Sequence, residues 1–299
     1  MAAPPAPSRP GFKFRRLDKP EEFRAAAELQ VKSAGGAEEL VAAPGLLREV
    51  QDHGGMVLGA FADIYLAGVS AGVLGWDGTQ LYHFSHVTAV RPEYQNHHLG
   101  FQLGAYLREE VLLQGLPVVR TTIDPLRSRA AHLAIRRLGA MPERYHPHYF
   151  GQLERGGGAG SESDRLRLRW ELATPRTEQR LAGTVPAPEE DRARFARSSA
   201  IVETELSEEG FRRPTSVTEP DSGEAHLEIP FDLDAVEEHA PALLRAWRHA
   251  VRDAFRAAFD VGYTADDFVT LSIDHERRGF YLLRRDRASP PSAPPAASA

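Results

Sequence analysis

The segment that most constrains the fold is residues 81–104, LYHFSHVTAVRPEYQNHHLGFQLG. It begins with a run of strand character that is predicted to end at Val90, because Pro92 follows. A short polar loop, residues 93–98, leads into a helix that is predicted to begin near Leu99. The first N–H groups of a helix lack partners within it, and the helix dipole is positive there. A loop of this kind directly after a strand therefore predicts an anion site and indicates a phosphorylated cofactor.

Composition narrows the class of protein. A chain of 299 residues allows one large or two modest domains. The net charge of −6 at pH 7 argues against a general binder of nucleic acid or of anionic membranes. The chain has no cysteine, which excludes disulfides, thiolate zinc sites and cysteine nucleophiles. No apolar run approaches the roughly 20 residues that span a bilayer, and no signal-peptide pattern is present, so we expect a cytoplasmic protein.

Hydrophobic periodicity predicts alternating strands and helices in the N-terminal part. The predicted strands cover residues 12–17, 56–62, 65–74, 81–90, 118–123, 145–153 and 166–172. The predicted helices cover residues 21–33, 40–52, 99–114 and 128–138, the last ending at Gly139. This order indicates an α/β (α+β) fold with a mixed, mostly antiparallel central sheet flanked by helices.

An additional C-terminal α/β unit is predicted over residues 225–287, with strands at 226–231, 268–273 and 279–283. A helix over 233–259 carries an apolar stripe that we expect to be buried: Leu244, Trp247, Val251, Phe255 and Phe259. Its arginines are expected to form a solvated face: Arg245, Arg248, Arg252 and Arg256. Residues 173–224 are interpreted as a connecting region with one or two short strands near 200–202. Residues 1–10 and 288–299 are expected to be disordered tails, and 155–163 a flexible loop.

Several short motifs follow one another along the chain in a characteristic order. They are YHFSH at 82–86, VRPEY at 90–94, DPLRSR at 124–129, LGA at 138–140, SDR at 163–165, WEL at 170–172, EIP at 228–230, AWR at 246–248, Phe255, and GY at 262–263. With the strand–loop–helix in fourth-strand position, this order resembles the GNAT superfamily of acyl-CoA-dependent N-acyltransferases, in particular a bacterial subfamily of predicted acetyltransferases. The likeness implies a GNAT-like domain over residues 11–172.

The resemblance implies a cofactor site on the fourth strand and the loop after it. The strand would part from its neighbour and offer its edge to the pantetheine arm of acetyl-CoA or another acyl-CoA. The residues implied for that edge are Val87, Thr88, Ala89 and Val90. The pyrophosphate would bind the loop amides of Gln95, Asn96, His97, His98, Leu99, Gly100 and Phe101.

The chain departs from the family pattern at three positions. His98 stands where the motif has its first glycine, a residue that permits positive φ and close approach of a phosphate. Its side chain either points away and leaves its amide to serve, or crowds the site; as an imidazolium it would attract the diphosphate. Ala130 and Ile135 stand where the superfamily often has Asn and Tyr, so no tyrosine acid is assigned there.

The implied chemistry is direct attack of an amine on a thioester, which requires a base. His86 is the first candidate, because it precedes the pantetheine segment and histidines exchange protons near neutral pH. Asp124, at the end of the fifth strand, is the second. The structural alternatives are a half-buried histidine bonded to a neighbour, and a cap or turn residue before Pro125. His83 should face the opposite side of a regular strand, and we expect no metal site.

Three functions stay open from the sequence. The first is an N-acyltransferase that moves an acetyl or succinyl group to a small amine or amino acid. The second is a degenerate GNAT-like domain that binds acyl-CoA or a protein partner without turnover. The third is a scaffold that has lost the cofactor. The C-terminal unit is expected either to cover the acceptor site or to build a homodimer.

Overall fold

The computed structural model describes residues 11–33, 40–153 and 161–285. The helices are α1 (Pro20–Ser33), α2 (Pro44–Asp52), α3 (Leu99–Leu113), α4 (Ser128–Ala131), α5 (Pro175–Leu181), α6 (Pro188–Arg197), α7 (Leu233–His239) and α8 (Pro241–Asp260). The strands are β1 (Lys13–Arg16), β2 (Met56–Ala62), β3 (Tyr65–Trp76), β4 (Leu81–Val90), β5 (Val118–Ile123), β6 (Met141–His146), β7 (Gln152–Leu153), β8 (Ser161–Glu162), β9 (Arg165–Glu171), β10 (Ser199–Ala200), β11 (Val202–Leu206), β12 (Arg212–Val217), β13 (Glu224–Ile229), β14 (Tyr263–Ile273) and β15 (Glu276–Arg285). A 3₁₀ turn, Pro92–Tyr94, precedes α3, and a π-helical segment, His132–Arg137, continues α4.

The chain divides into two compact units. Among the described residues, unit 1 comprises 11–33, 40–121, 153, 161 and Glu171–Ala173, and unit 2 comprises Thr122–Gln152, Glu162–Trp170 and 174–285. The domain boundaries inferred from the sequence, at residues 172 and 224, stay a prediction. Over the described ranges, no helix is long and apolar enough to cross a membrane.

Unit 1 is built on an antiparallel run of strands. β1 pairs with β2, β2 with β3 and β3 with β4, while β5 lies parallel to β4. All seven residues of β2 are buried, and since successive side chains point to opposite faces, both faces of this strand are covered. Phe23 and Leu29 of α1 and Leu47 of α2 pack with Val57 and Val69 of the sheet. The predicted fold class, a mixed and mostly antiparallel sheet flanked by helices, is confirmed.

Unit 2 contains the predicted C-terminal α/β structure. Its four-stranded sheet has the order β10-β13-β15-β14, and β11 and β12 form a separate hairpin. The apolar side of α8 is buried as predicted at Trp247, Val251 and Phe255. Two further strands of unit 2, β6 and β9, pair antiparallel.

Proline sets two boundaries that the sequence prediction missed. The single helix expected over 233–259 is wrong, because Pro241 has no N–H to continue α7, and the chain breaks at Ala240 before α8 begins. The strand expected over 145–153 is also wrong. β6 ends at His146, just before Pro147, and His148 has a left-handed φ of 50° in the turn that follows.

The solvated arginine face predicted on this helix is wrong at two of its four positions. Arg245 and Arg256 are exposed, but Arg248 is buried and Arg252 is half-buried. Both pair with carboxylates of unit 2.

The region interpreted as a connection, 173–224, is more regular than expected. It holds α5, α6 and β10 to β12, and β13 begins at its end. Of the expected flexible loop at 155–163, residues 155–160 lie outside the described residues, as do both expected tails, and Ser161 and Glu162 form β8.

Candidate functional site

Strand β4 leaves its parallel neighbour early. The pairing with β5 joins His83 to Val119 and ends where Ser85 faces Thr121. At that last pair, the Thr121 hydroxyl donates a hydrogen bond of 2.9 Å to the Ser85 carbonyl oxygen. β4 continues to Val90 and stays paired with β3 on its other side. Among the described residues, no strand pairs with the β5-side edge of Val87 to Val90, and those are the residues implied for the pantetheine arm.

His86 lies in a β-bulge at the point where the strands part. Val87 faces Ala71 and Ser85 faces Gly72, so His86 is an extra residue in β4. Its side chain is exposed. The opposite facing of His83 and His86 is expected only for a regular strand, and β4 is not regular here; the alternative of a half-buried His86 is wrong. Bulges commonly re-aim side chains beside active sites, and this one directs an imidazole to solvent at the parting point.

His83 differs from His86 in its burial. It is fully buried, and neither of its ring nitrogens has a hydrogen-bond partner among the described residues. A Cβ added to Gly72 would lie 2.3 Å from its Nε2 atom, so the ring lies over that glycine. Burial lowers the pKa of His83 to about 4. His83 is therefore neutral at pH 7 and belongs to the interior of unit 1.

The loop after β4 adopts the backbone conformation for which glycine is usually needed. Asn96 has a φ of 64°, and His98 has a φ of 60° and a ψ of 11°, in the left-handed region. The side-chain amide of Gln95 donates through Nε2 to the Val90 carbonyl oxygen at 3.1 Å and ties the loop to the strand end. The His98 side chain is exposed and makes no capping bond to α3. The backbone of His98 thus adopts the positive φ that the motif glycine permits, and both interpretations of its ring stay predictions.

The loop runs directly into the N-terminus of α3. The Gln102 N–H donates to the His98 carbonyl oxygen at 3.0 Å, which closes the first turn of the helix. Leu99 is buried and anchors this end of the helix. The loop lies at the N-terminus of α3, where the positive end of the helix dipole is. The helix is fifteen residues long, and the His98 side chain does not cap this end. The residues predicted to hold a pyrophosphate, Gln95 to Phe101, thus form one continuous strand-to-helix turn.

Asp124 lies in unit 2, whereas His86 lies in unit 1. Its carboxylate is buried and accepts two hydrogen bonds from the Arg248 guanidinium, one of them at 2.6 Å through Oδ2. Oδ1 also accepts the Leu126 N–H at 3.0 Å, the bond of a turn residue before Pro125. Burial alone would raise the pKa of Asp124, but the charge and hydrogen bonds of Arg248 hold it at about 2. This geometry matches the turn alternative for Asp124.

Arg248 is the partner that sequence reasoning missed, although a signal for it exists. Leu244, Arg248, Val251 and Phe255 follow one another at spacings of four, three and four residues. Arg248 therefore sits on the apolar stripe of α8, where a charge requires a buried partner.

A second polar cluster in unit 2 surrounds Asp164. Its carboxylate accepts the Tyr145 hydroxyl at 2.6 Å and pairs with Arg252 at 2.8 Å. Arg252 also pairs with Glu162. Ligand atoms of His148, Glu162 and Asp164 lie within 4.8 Å of one another, a spacing that a metal ion could bridge. Both carboxylates already pair with the Arg252 guanidinium, and His249 lies 3.3 Å from Glu162, so this cluster is better described as an ion-pair network.

Part of the chain is similar to solved acetyltransferase structures. The ribosomal-protein-S18-alanine N-acetyltransferase of Escherichia coli aligns over 55% of this chain and 96% of its own, with 15% identity and a TM-score of 0.44. A protein described as a GNAT-family acetyltransferase from Desulfovibrio desulfuricans aligns over 55% and 100%, with 23% identity and a TM-score of 0.43. One described as an acetyltransferase from Salmonella typhimurium, solved with acetyl-CoA, aligns over 55% and 97%, with 18% identity and a TM-score of 0.43. No protein-family model and no curated protein matches the chain.

Proposed function

We propose that this chain is an acyl-CoA-dependent N-acyltransferase that acylates a small amine or amino acid. The observation that carries the proposal is the open edge of β4 beyond Ser85, where pairing with β5 ends. An extended ligand with amide groups can hydrogen-bond to such an edge as an added strand would. The pantetheine arm of coenzyme A is an extended ligand with two amide groups, so it fits Val87 to Val90.

The turn after β4 fits the diphosphate of the same ligand. A diphosphate needs several converging N–H donors and no bulky group among them. The left-handed conformation of His98 supplies the backbone shape, and its exposed side chain makes no capping bond to α3. Gln95 holds the turn to the end of β4. We therefore assign the pyrophosphate to N–H groups of the turn after Gln95, because the Gln95 N–H itself donates to the Pro92 carbonyl oxygen at 3.2 Å.

His86 is proposed as the base of the reaction. The amine would form an amide bond with the acyl carbon as the carbon–sulfur bond of the thioester breaks, and coenzyme A would leave as its thiolate. The attacking amine must lose a proton to a nearby acceptor. His86 is exposed at the bulge where β4 and β5 part, and no hydrogen bond within the described residues occupies its ring nitrogens. An N–H group on the open edge of β4 can donate to the developing oxyanion.

One set of observations favours a second candidate, binding of acyl-CoA without turnover. Ile135 replaces the tyrosine that the family often uses, and its side chain is fully buried. Asp124 is committed to Arg248. The catalytic groups available are then fewer than in the family pattern, while the residues proposed for the cofactor keep a strand-to-helix turn.

Cofactor binding is tested by calorimetric titration of the full chain with acetyl-CoA and succinyl-CoA. His98→Asp places a negative charge in the pyrophosphate turn while keeping a residue that tolerates left-handed φ. We expect its affinity to fall at least about tenfold, the effect of one repulsion of about 1.4 kcal/mol. His275→Asp is the matched control, because His275 is also exposed and has a φ of 67°. Equal binding by the two variants would remove the pyrophosphate assignment.

Turnover is tested by thiol release with a panel of amines and amino acids. His86→Gln should lower kcat by about 10²- to 10⁴-fold and leave acyl-CoA affinity unchanged, since it removes a base and no cofactor contact. His53→Gln, at another exposed histidine of unit 1, should leave both quantities unchanged. Binding without thiol release across the panel supports the second candidate, and no binding contradicts both.

A further inference from the structure

Unit 2 contains a cavity that the proposed transfer reaction does not use. It has a volume of about 300 Å³, the lower end of the size range of small-molecule sites. It lies where β13 ends, α7 begins and β15 begins, next to the start of β12. Aromatic side chains form much of its wall: Phe211, Phe231 and the buried Trp247. The Trp247 indole N–H donates to the Arg212 carbonyl oxygen at 2.9 Å, which fixes that ring in place.

Most of the charges around this cavity neutralise one another. Glu228 is almost fully buried and accepts two hydrogen bonds from the Arg278 guanidinium. Arg212 lies 3.4 Å from the Glu228 carboxylate and 3.4 Å from that of Glu276. These four groups form a closed network of two cations and two anions that has no charge left for a ligand.

Two charges beside Phe231 are outside that network. The Arg277 guanidinium stacks over the Phe231 ring at 4.7 Å, and no carboxylate pairs with it among the described residues. Asp232, the next residue in the chain, accepts the Ala235 N–H at 3.2 Å through Oδ1 and has no cationic partner in the same ranges. One cation stacked on Phe231 and one anion at the next residue therefore line the same cavity, and the Phe231 ring between them in the lining is 38% exposed.

We infer that this cavity binds a free α-amino acid with an apolar side chain. The ligand carboxylate bonds to Arg277, the ligand ammonium bonds to Asp232, and the side chain enters the aromatic wall. A ligand of net charge zero matches the balanced charges of the wall, whereas a simple carboxylate would face Asp232 and a simple amine would face Arg277. The inference concerns unit 2 alone and does not depend on acyl-CoA binding.

The test is an NMR titration of the full chain, without acyl-CoA, that follows the three indole N–H signals. The chain has three tryptophans. Trp76→Phe and Trp170→Phe identify the signal of Trp247, and the other two signals serve as internal controls. We expect L-phenylalanine to shift the Trp247 signal alone and saturably, with a Kd on the order of 1 mM. 3-Phenylpropionate and 2-phenylethylamine each lack one charge and should bind at least about tenfold more weakly.

Two variants assign the ligand charges to residues. Arg277→Gln and Asp232→Asn should each weaken L-phenylalanine binding at least about tenfold, and the asparagine keeps the capping bond of α7. Arg285→Gln is the matched control, because Arg285 is exposed and stacks on Tyr263 in the same unit. The inference is overturned if L-phenylalanine leaves the Trp247 signal unshifted at 10-fold the expected Kd. It is equally overturned if the single-charge analogues bind as well as the amino acid, or if Arg285→Gln has the effect of Arg277→Gln.

Discussion

Breaking the ion pair of Asp124 and Arg248 should be among the most destabilising single substitutions in unit 2. Asp124→Asn is nearly isosteric and can still accept the Leu126 N–H, but it removes the charge that Arg248 faces. The two side chains are 8% and 3% exposed, so water cannot take the place of the carboxylate. Removing one member of such a pair typically costs about 3–5 kcal/mol, because the other charge stays buried without compensation.

The magnitude can be separated from ordinary packing loss by a double-mutant cycle. Arg248→Met in the Asp124→Asn background removes the stranded charge and keeps an unbranched side chain in its place. We expect the double variant to be less destabilised than the sum of the single variants by about 2–3 kcal/mol. Asp234→Asn is the control, since Asp234 pairs with Arg127 at 2.6 Å but is 67% exposed, and its loss should cost under about 1 kcal/mol.

The assay is urea unfolding at pH 7, followed by tryptophan fluorescence, with activity measured on the same samples. A change of less than about 1 kcal/mol for Asp124→Asn, within the range of exposed pairs, would refute the reasoning. Full stability with lost turnover would restore Asp124 as a catalytic candidate. Additive single variants would show that the pair contributes no coupling of its own.

Three further outcomes follow from buried groups. Between pH 7 and pH 5, His83 should lower the free energy of unfolding by about 2 kcal/mol. Its pKa near 4 in the folded state lies below the ordinary 6.5, so the unfolded chain binds the proton first. The urea midpoint of His83→Leu should not show that loss. Gly72→Ala should lower the urea midpoint strongly, since its Cβ would lie 2.4 Å from the Phe84 carbonyl oxygen, whereas Gly45→Ala in open space should not. Asp267→Asn should cost about 3–5 kcal/mol in the same assay, because its carboxylate accepts from two buried arginines, Arg136 at 2.7 Å and Arg180 at 2.9 Å.

The parts of the fold that the sequence predicts well are those with an unbroken local pattern. The bounds of β2, β4 and β5 agree with the predicted ranges, because each is an apolar or alternating run between turn residues. The errors lie where one residue overrides a longer pattern. Pro241 divides a continuous apolar stripe, and Pro147 with His148 turns the chain out of β6. In the region 173–224, low hydrophobicity conceals α5 and α6, whose arginines pair with residues distant in sequence.

The candidate site likewise has a part that the sequence predicts and parts that it does not. The turn before α3 is predictable, because a strand end, a polar loop and a helix start are local signals. The bulge at His86 is not, since nothing in the sequence of β4 shows that one residue is left out of register with β3. The partner of Asp124 lies 124 positions away on α8, and only the helical spacing of Arg248 indicates that it is buried.

The shape of β4 depends on its neighbour β3 as much as on its own residues. β3 has glycines at positions 68, 72 and 75, and a Cβ at each would lie close to an atom of β4. At Gly72 the near atoms belong to His83 and to the backbone of Phe84, immediately before the bulge. Because glycine has no side chain, β4 can lie close against β3 at the point where the register between the two strands changes. A larger residue at Gly72 would push β4 away from β3 at Ser85, the last residue that pairs with β5 before the edge becomes open. We therefore expect substitutions in β3, which contributes none of the proposed cofactor contacts, to weaken acyl-CoA binding as strongly as substitutions in β4.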